Sequence, residues 1–461
     1  MRKKIKIEIW LIALVIVFGL ICTIFYGALI INHLKKQAFN PAQTPQSVSR
    51  FEKLEKVAVF IGMIPHHFLL IIKEAANPKK IEDLSEDLKQ KPKFKRFINY
   101  NREELLILPR YDANLKRSIV EVIDLNSFEV LHTYKHDVNL LNNRIDTSKE
   151  EFKRIKIDHS EKRFHYDHPL ILSDGSLISH YGYSPLFKID ICSKILWINQ
   201  EDRFHHSIML DRKKNIWVAT AMFPYSKFIY QHKKAWINNF EDDAITQVSL
   251  EGKILYRKSV SEILIENGMI GLNLFNSKDP IHLNDIEPAF NDTKYWKKDD
   301  LFLSLRHMSS IIHYRPSANK IINYIQGPFF QQHDVDIISD KEISILNNNN
   351  NFLKNSKYSE VLIYNFETKS FSKKIESELK ENNFKTVTQG LAETLEDGSI
   401  MIEDTNHGRL IFFNNKGEKE WEFINKDDNG DIYFINWSRI IKEKNLILKI
   451  KEKIKNKKCN V

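Results

Sequence analysis

From about Glu104 to Phe423 the chain consists of short apolar runs separated by tight turns, and the runs fall into groups of about four. Leu105 to Leu108, Ile119 to Leu125 and Phe128 to Tyr134 open the series. Leu170 to Ser179, Leu186 to Ile191 and Lys194 to Trp197 make a second group, and His206 to Thr220 with Ile245 to Tyr256 a third. A fourth runs from His282 to Ile325, a fifth from His333 to Ile375 and a sixth from Gln389 to Phe423. Asp174-Gly175, Asp397-Gly398 and Lys416-Gly417 supply the two-residue turns, because glycine enters the positive-φ conformations such turns need. Strand groups that recur this way bury their faces against neighbouring groups, as propeller blades do. The pattern predicts an all-β, six-bladed β-propeller over residues 102–440. The third and fourth groups carry long insertions, and in one of them Ile263, Leu264, Ile270 and Leu274 have helical spacing that reads as a packing helix over Ser259 to Asn276.

The N-terminal part has a different character. Ile9 to Ile31 is a run of 23 residues without a charge, preceded by Arg2, Lys3, Lys4 and Lys6. At 1.5 Å per helical residue the run predicts a transmembrane signal anchor, with the propeller on the periplasmic or extracytoplasmic side. The expected organisation is a cytoplasmic basic segment (1–8), the anchor (9–31), a linker and short helical region (32–101), the propeller (102–440) and a basic C-terminal tail (441–461). A second apolar run, Val57 to Ile72, contains Pro65, His66 and His67 and reads as a packed or interfacial helix. The net charge of +9 comes without an arginine-rich patch interleaved with aromatics, so no nucleic-acid partner is expected. Of the three cysteines, Cys22 falls in the anchor, and Cys192 and Cys459 are not expected to pair.

Three histidines, His206, His282 and His333, each open a strand group, and Arg306 follows the second of them. The entrances of inner strands converge on one end of a propeller axis, so these residues meet if the repeat is read correctly. A single histidine among strands is more often a satisfied, partly buried side chain, but matching positions in successive groups favour a common role. Neutral imidazoles act as nucleophiles or proton carriers near neutral pH, and a guanidinium holds an oxyanion through paired donors. Asn284, on the same strand face as His282, adds a neutral donor. Asp334 faces away from His333 and is expected to orient local backbone rather than that imidazole. The set suits transfer of an anionic group. Two other readings stand beside it: a His-ligated metal enzyme, which Arg306 disfavours by charge repulsion, and a membrane-tethered binding propeller without chemistry. Tyr181, Tyr183, Phe223, Tyr225, Phe329 and Phe330 are candidates to stack on an aromatic ring, although core packing is the commoner role. The Asn347 to Asn351 run reads as a polar loop.

The segments His205-His206, His282-Leu283-Asn284, Leu303-Ser304-Leu305-Arg306, Gln332-His333-Asp334 and Gly408-Arg409-Leu410 to Glu420-Trp421-Glu422 together resemble the bacterial arylsulfotransferases. The resemblance covers most of residues 160–440. It implies a six-bladed propeller that moves a sulfuryl group from an aryl sulfate donor to a phenolic acceptor, with no nucleotide sulfate and no cofactor. It further implies that His333 is the nucleophile, transiently sulfated, with His206, His282 and Arg306 as catalytic partners and Asn284 and His205 binding substrate. Which of His282 and His206 carries the proton stays open. Ser207 stands where many relatives have an acidic residue, and the short N-terminal region departs from the larger domain of the familiar secreted enzymes.

Overall fold

The computed structural model describes residues 9–38, 54, 57–58, 61, 80–81, 86–98, 102–226, 240–269, 279–350 and 358–459. The chain divides into two units, Met1–Pro78 with Gln231–Phe240 and Phe275–Lys278, and Lys79–Tyr230 with Glu241–Leu274 and Asp279–Val461.

In the first unit Ile9–Ala38 is a helix whose described side chains from Leu14 to Phe25 are mostly exposed and apolar. Among the described residues, however, no helix is long and apolar enough to cross a membrane. The transmembrane anchor expected at residues 9–31, and with it attachment to the membrane, is therefore not supported. His66 and His67 lie outside the described residues.

The second unit is an all-β, propeller-like ring of antiparallel sheets. Four sheets are separate blades: Leu105–Asp112, Arg117–Asp124 and Glu129–Tyr134 with the late strand Arg439–Ile441; Leu283–Pro288 through Lys320–Gln326; Val335–Ser339 through Ser370–Lys374; and Leu391–Thr394 through Lys419–Ile424, extended by Phe94–Arg96. The second and third expected groups do not separate. They form one seven-stranded sheet because the 16-residue strand Ile195–Leu210 pairs with Ser184–Ile189 through its first half and with Ile216–Ala221 through its second. Four separate blades and this fused sheet thus replace the six separate blades expected.

Period-two alternation accounts for the ring, since successive side chains of a strand face opposite sides. Leu105 and Ile107 pack with Ile171, Leu177, Phe187 and Ile189 on one side. Leu106 and Leu108 pack with Met401, Leu410, Phe412 and Trp421 on the other, so the last blade closes on the first. Elsewhere Phe302 and Ile311 meet Val335, Ile343 and Leu362, and Leu346 and Val361 meet Ile400, Ile402 and Ile411. Because both faces of each sheet are covered, the strands read as continuous apolar runs rather than clean alternations.

The insertion after the third group contains the helix Val260–Glu266, capped by Ser259 Oγ accepting from the Glu262 amide, with Ile263 and Leu264 buried. Ile270 and Leu274 lie outside the described residues. The segment expected as a basic tail instead forms the helix Lys444–Asn456, whose Ile447 and Ile450 are buried against the first blade. Beyond it Cys459 is disulfide-bonded to Cys192, contrary to expectation. Sequence separation said nothing about the pairing because the two cysteines are 267 positions apart and the return of the C-terminal helix across the ring brings them together.

Candidate functional site

The candidate site residues sit in or next to unusual backbone. His206 (φ +60°), His282 (φ +53°) and Gln331 (φ +53°) are all left-handed, a conformation that costs a non-glycine residue roughly 1–2 kcal/mol. At His206 the strand carries a bulge, since Ile208 faces Val218 while His205 faces Ala219. The bulge turns the His206 ring off the sheet face. Arg306 follows the strand Leu301–Leu305, and its amide donates to the His282 carbonyl at 3.0 Å, so those two residues are joined through the backbone.

The structure brings together all six residues singled out from the sequence. The ring of His206 lies 5.0 Å from that of His282 and 6.4 Å from that of His333, centroid to centroid. His205 Nδ1 and His206 Nδ1 are 2.7 Å apart, and His205 Nε2 is 3.2 Å from Asp243 Oδ1. Asn284 Nδ2 donates to the Gln332 carbonyl at 2.9 Å, which ties Asn284 to the strand end that carries His333. Four polar atoms of this group are buried without a hydrogen-bond partner among the described residues: His333 Nε2, Asn284 Oδ1, Arg306 Nε and His205 Nε2, the last of which faces only Asp243. Buried polar groups are nearly always paired, so these atoms are open to a ligand or to ordered water.

Each member has supports that sequence reasoning missed. His333 Nδ1 is 2.6 Å from Asn348 Oδ1. Arg306 Nη1 is 2.7 Å from His307 Nε2, and Nη2 donates to Gln331 Oε1, which also accepts from Asn350 Nδ2 at 2.9 Å. His282 Nδ1 is hydrogen-bonded to the Asp279 carboxylate. Trp437 packs against His206 and His333 at 6.1 and 6.4 Å between centroids. The signal for Asn348 and Asn350 was the asparagine run itself. Asn347 ends the strand Glu342–Asn347, Asn348 to Asn350 form a polar loop whose amides hold the site, and Asn351 lies outside the described residues.

Burial dominates the electrostatics, because removing an imidazole from water disfavours its charged form. It lowers His333 to about 3, with a hydrogen bond to Asn348 opposing and the charge of Arg306 adding to the fall. His205 is likewise lowered to about 3, and His206 falls well below the usual histidine value with four imidazoles around it. Burial alone would raise the Asp279 carboxyl, but its hydrogen bond to His282 and the charges of His282 and His307 hold it below the usual range. At neutral pH His333 is therefore an uncharged imidazole with a free nitrogen, set beside a guanidinium.

A series of side-chain bridges locks the strand ends that carry these residues. His168 Nδ1 accepts from the Ile208 amide, Ser207 Oγ from Ile286, Asp285 Oδ2 from Val335, Asp334 Oδ2 from Ala392 and Glu393 Oε2 from Ile440. Ser207, Asp285 and Asp334 each directly follow a site residue. Ser207 thus makes the same kind of bridge that carboxylates make elsewhere in the ring, and Asp334 binds backbone rather than the His333 ring, but that of Ala392 in the next blade and not the local backbone expected.

Asp279, His282 and His307 present ligand atoms within 4.8 Å of one another and are the group that comes nearest to a metal site among the described residues. The donor set fits a cation poorly. Both nitrogens of His307 are engaged, Nδ1 with the Asp279 carbonyl at 2.6 Å and Nε2 with Arg306, and the guanidinium repels a second positive charge. Of the aromatic candidates, Tyr183 stacks on His205 at 4.7 Å, and Phe329 is core. Tyr181 packs on His159 and His165, while Phe223 and Phe330 are exposed.

No curated relative matches the chain. Among solved structures, a Bacteroides caccae protein of unknown function superposes with a TM-score of 0.46 at 11% identity, covering 74% of this chain and 100% of that one. A streptogramin B lyase gives 0.40 at 9% identity, covering 76% and 97%, and a Staphylococcus aureus virginiamycin B lyase 0.38 at 10%, covering 73% and 89%. Likeness at that level carries no argument. The family model for arylsulfotransferase (ASST) matches residues 165–426, which is more than half of the sequence and includes His205, His206, His282, Asn284, Arg306 and His333, and the chain belongs to that family.

Proposed function

We propose that this protein transfers a sulfuryl group from a phenolic sulfate ester to a phenolic acceptor through transient sulfation of His333, with no nucleotide sulfate donor. The observation that carries the reading is the buried, unpartnered Nε2 of His333 beside Arg306 and Asn284. In the first half-reaction the Nε2 lone pair forms a bond to sulfur, the bond from sulfur to the aryl oxygen breaks, and the electron pair leaves on that oxygen. Arg306 and the second amide hydrogen of Asn284 hold the sulfuryl oxygens as charge redistributes, a fixed electrostatic role that needs no reorganisation. In the second half-reaction the acceptor oxygen attacks sulfur and Nε2 departs.

His282 is the better proton carrier. Its Nδ1 is held by the Asp279 carboxylate, which orients the ring. His206 is buried among imidazoles and resists a charge. His282 protonates the leaving phenolate and then takes the proton of the acceptor. The Cys192–Cys459 disulfide supports work in an oxidising, extracytoplasmic compartment. The test is release of phenol from a chromogenic aryl sulfate in the presence of a phenolic acceptor, with His333→Ala and His333→Asn as controls. Turnover that survives both substitutions would remove His333 as nucleophile.

A further inference from the structure

We infer that Asn348 is a positioning residue that commits His333 to a single tautomer, with hydrogen on Nδ1, so that sulfuryl transfer takes place at Nε2 alone. The inference rests on the sulfohistidine reading above and deepens it. It starts from which end of the Asn348 amide faces the ring. Nδ2 donates to the Thr386 carbonyl at 2.9 Å and to the Gln389 carbonyl at 2.8 Å. Carbonyl oxygens only accept, so the opposite orientation would set Oδ1 against two acceptors. The oxygen end is thereby fixed towards His333, and at 2.6 Å from Nδ1 it can only accept a hydrogen from that nitrogen. A neutral imidazole carries one ring hydrogen, which leaves the lone pair on Nε2.

The surroundings leave Asn348 little freedom. Its carbonyl accepts from Ser359 Oγ at 3.2 Å and Lys385 Nζ at 3.0 Å, and Asn348, Ser359 and Thr386 are all buried. The His333 amide donates to the Leu346 carbonyl two residues before Asn348, which sets the two side chains in register. The same contact serves the chemistry. When Nε2 bonds to sulfur and the aryl oxygen leaves with its electron pair, the ring keeps its Nδ1 hydrogen and becomes cationic, balanced by the anionic sulfo group. The bond to Asn348 Oδ1 is then charge-assisted and about twice as strong as before. The carbonyl end of one asparagine thus selects the nucleophilic nitrogen and favours the intermediate over the resting state.

Asn348→Ala and Asn348→Asp distinguish this role from a merely structural one. Both lose the two donor bonds to Thr386 and Gln389, but only the aspartate keeps an acceptor against Nδ1. Two readouts on the full-length protein are compared with wild type: ring ¹⁵N shifts of His333, assigned by difference from His333→Asn, and the isomer of sulfohistidine recovered from alkali-stabilised digests after exposure to an aryl sulfate. Wild type and Asn348→Asp are expected to show Nδ1–H and sulfation only at Nε2. Asn348→Ala is expected to show mixed tautomers, sulfation divided between the nitrogens and a kcat lower on the order of 10²-fold. Nε2–H in resting wild type, or identical tautomers and isomers in all three proteins, overturns the inference while leaving His333 as nucleophile. Sulfate found on another residue overturns both.

Discussion

Replacing Arg306 with lysine keeps a positive charge at the site and removes the planar fork, so it separates geometry from charge. In the structure the two terminal nitrogens of Arg306 are held by His307 and Gln331, which fixes the guanidinium plane and leaves Nε buried with no partner among the described residues. A lysine ammonium cannot make both holding contacts and present a directed donor as well. Loss of one preorganised donor to developing charge in a water-poor site costs about 2.7–4 kcal/mol, which is a 10²- to 10³-fold fall in rate. The fall should appear in kcat. A sulfate ester is already anionic when it binds, and the remaining positive charge still attracts it. The assay is phenol release from a chromogenic aryl sulfate at saturating acceptor, with kcat and KM determined separately for wild type, Arg306→Lys and Arg306→Met. An Arg306→Lys kcat within threefold of wild type would refute the reasoning, as would a tenfold rise in KM with kcat intact, because either result makes Arg306 a simple charge for substrate attraction.

Three further outcomes follow from particular contacts. Asp279→Asn removes the carboxylate that orients His282 and should lower kcat by about 10²- to 10⁴-fold with little change in melting temperature; an unchanged rate would move the proton role to His206. Cys459→Ser opens a cross-link spanning 267 positions, for which loop-closure entropy sets an upper bound of roughly 5–6 kcal/mol, and this should lower the melting temperature by several degrees, an effect that reductant should reproduce in wild type and not in the variant. Burial would raise the Asp300 carboxyl, but hydrogen bonds from His313 and Arg315 bring it down to about 2, below its unfolded value near ~4. Its contribution is therefore present above about pH 4 and lost as pH falls towards 2, so the melting-temperature gap between wild type and Asp300→Asn should narrow across that window.

The parts of the molecule that were legible in the sequence are those set by period-two burial. Leu105 to Leu108, Ile119 to Leu125 and the later runs are strands because each sheet is covered on both faces, and that leaves an apolar record in the chain. Merging of two groups into one sheet was not legible, because Gln200 to Phe204 is polar enough to resemble a turn, yet Ile195–Leu210 continues through it as one strand. Three candidate site residues, His206, His282 and His333, stood out because they open successive strand groups, Arg306 and Asn284 because they lie close after the second of these, and His205 only through the family resemblance. Two of their supports were hidden for a physical reason: Asn348 and Gln331 act on neighbours across strand ends, and an amide's orientation is settled by carbonyls some 40 positions away, whereas Asp279 lies only three residues from the His282 it holds. The disulfide was missed for the same reason, since nothing local to Cys192 records where the chain ends.

The side-chain bridges between strand ends have a mechanical consequence. A closed ring has no free end at which misfit can be released, so angular error in any one wedge must be shared among all of them. Ser207, Asp285 and Asp334 are the bolts of that ring, and each sits one residue from His206, Asn284 and His333. The aperture in which the three residues meet is therefore gauged by the whole circumference, and a change of one bolt would be felt as a shift in aperture at residues on the far side of the axis.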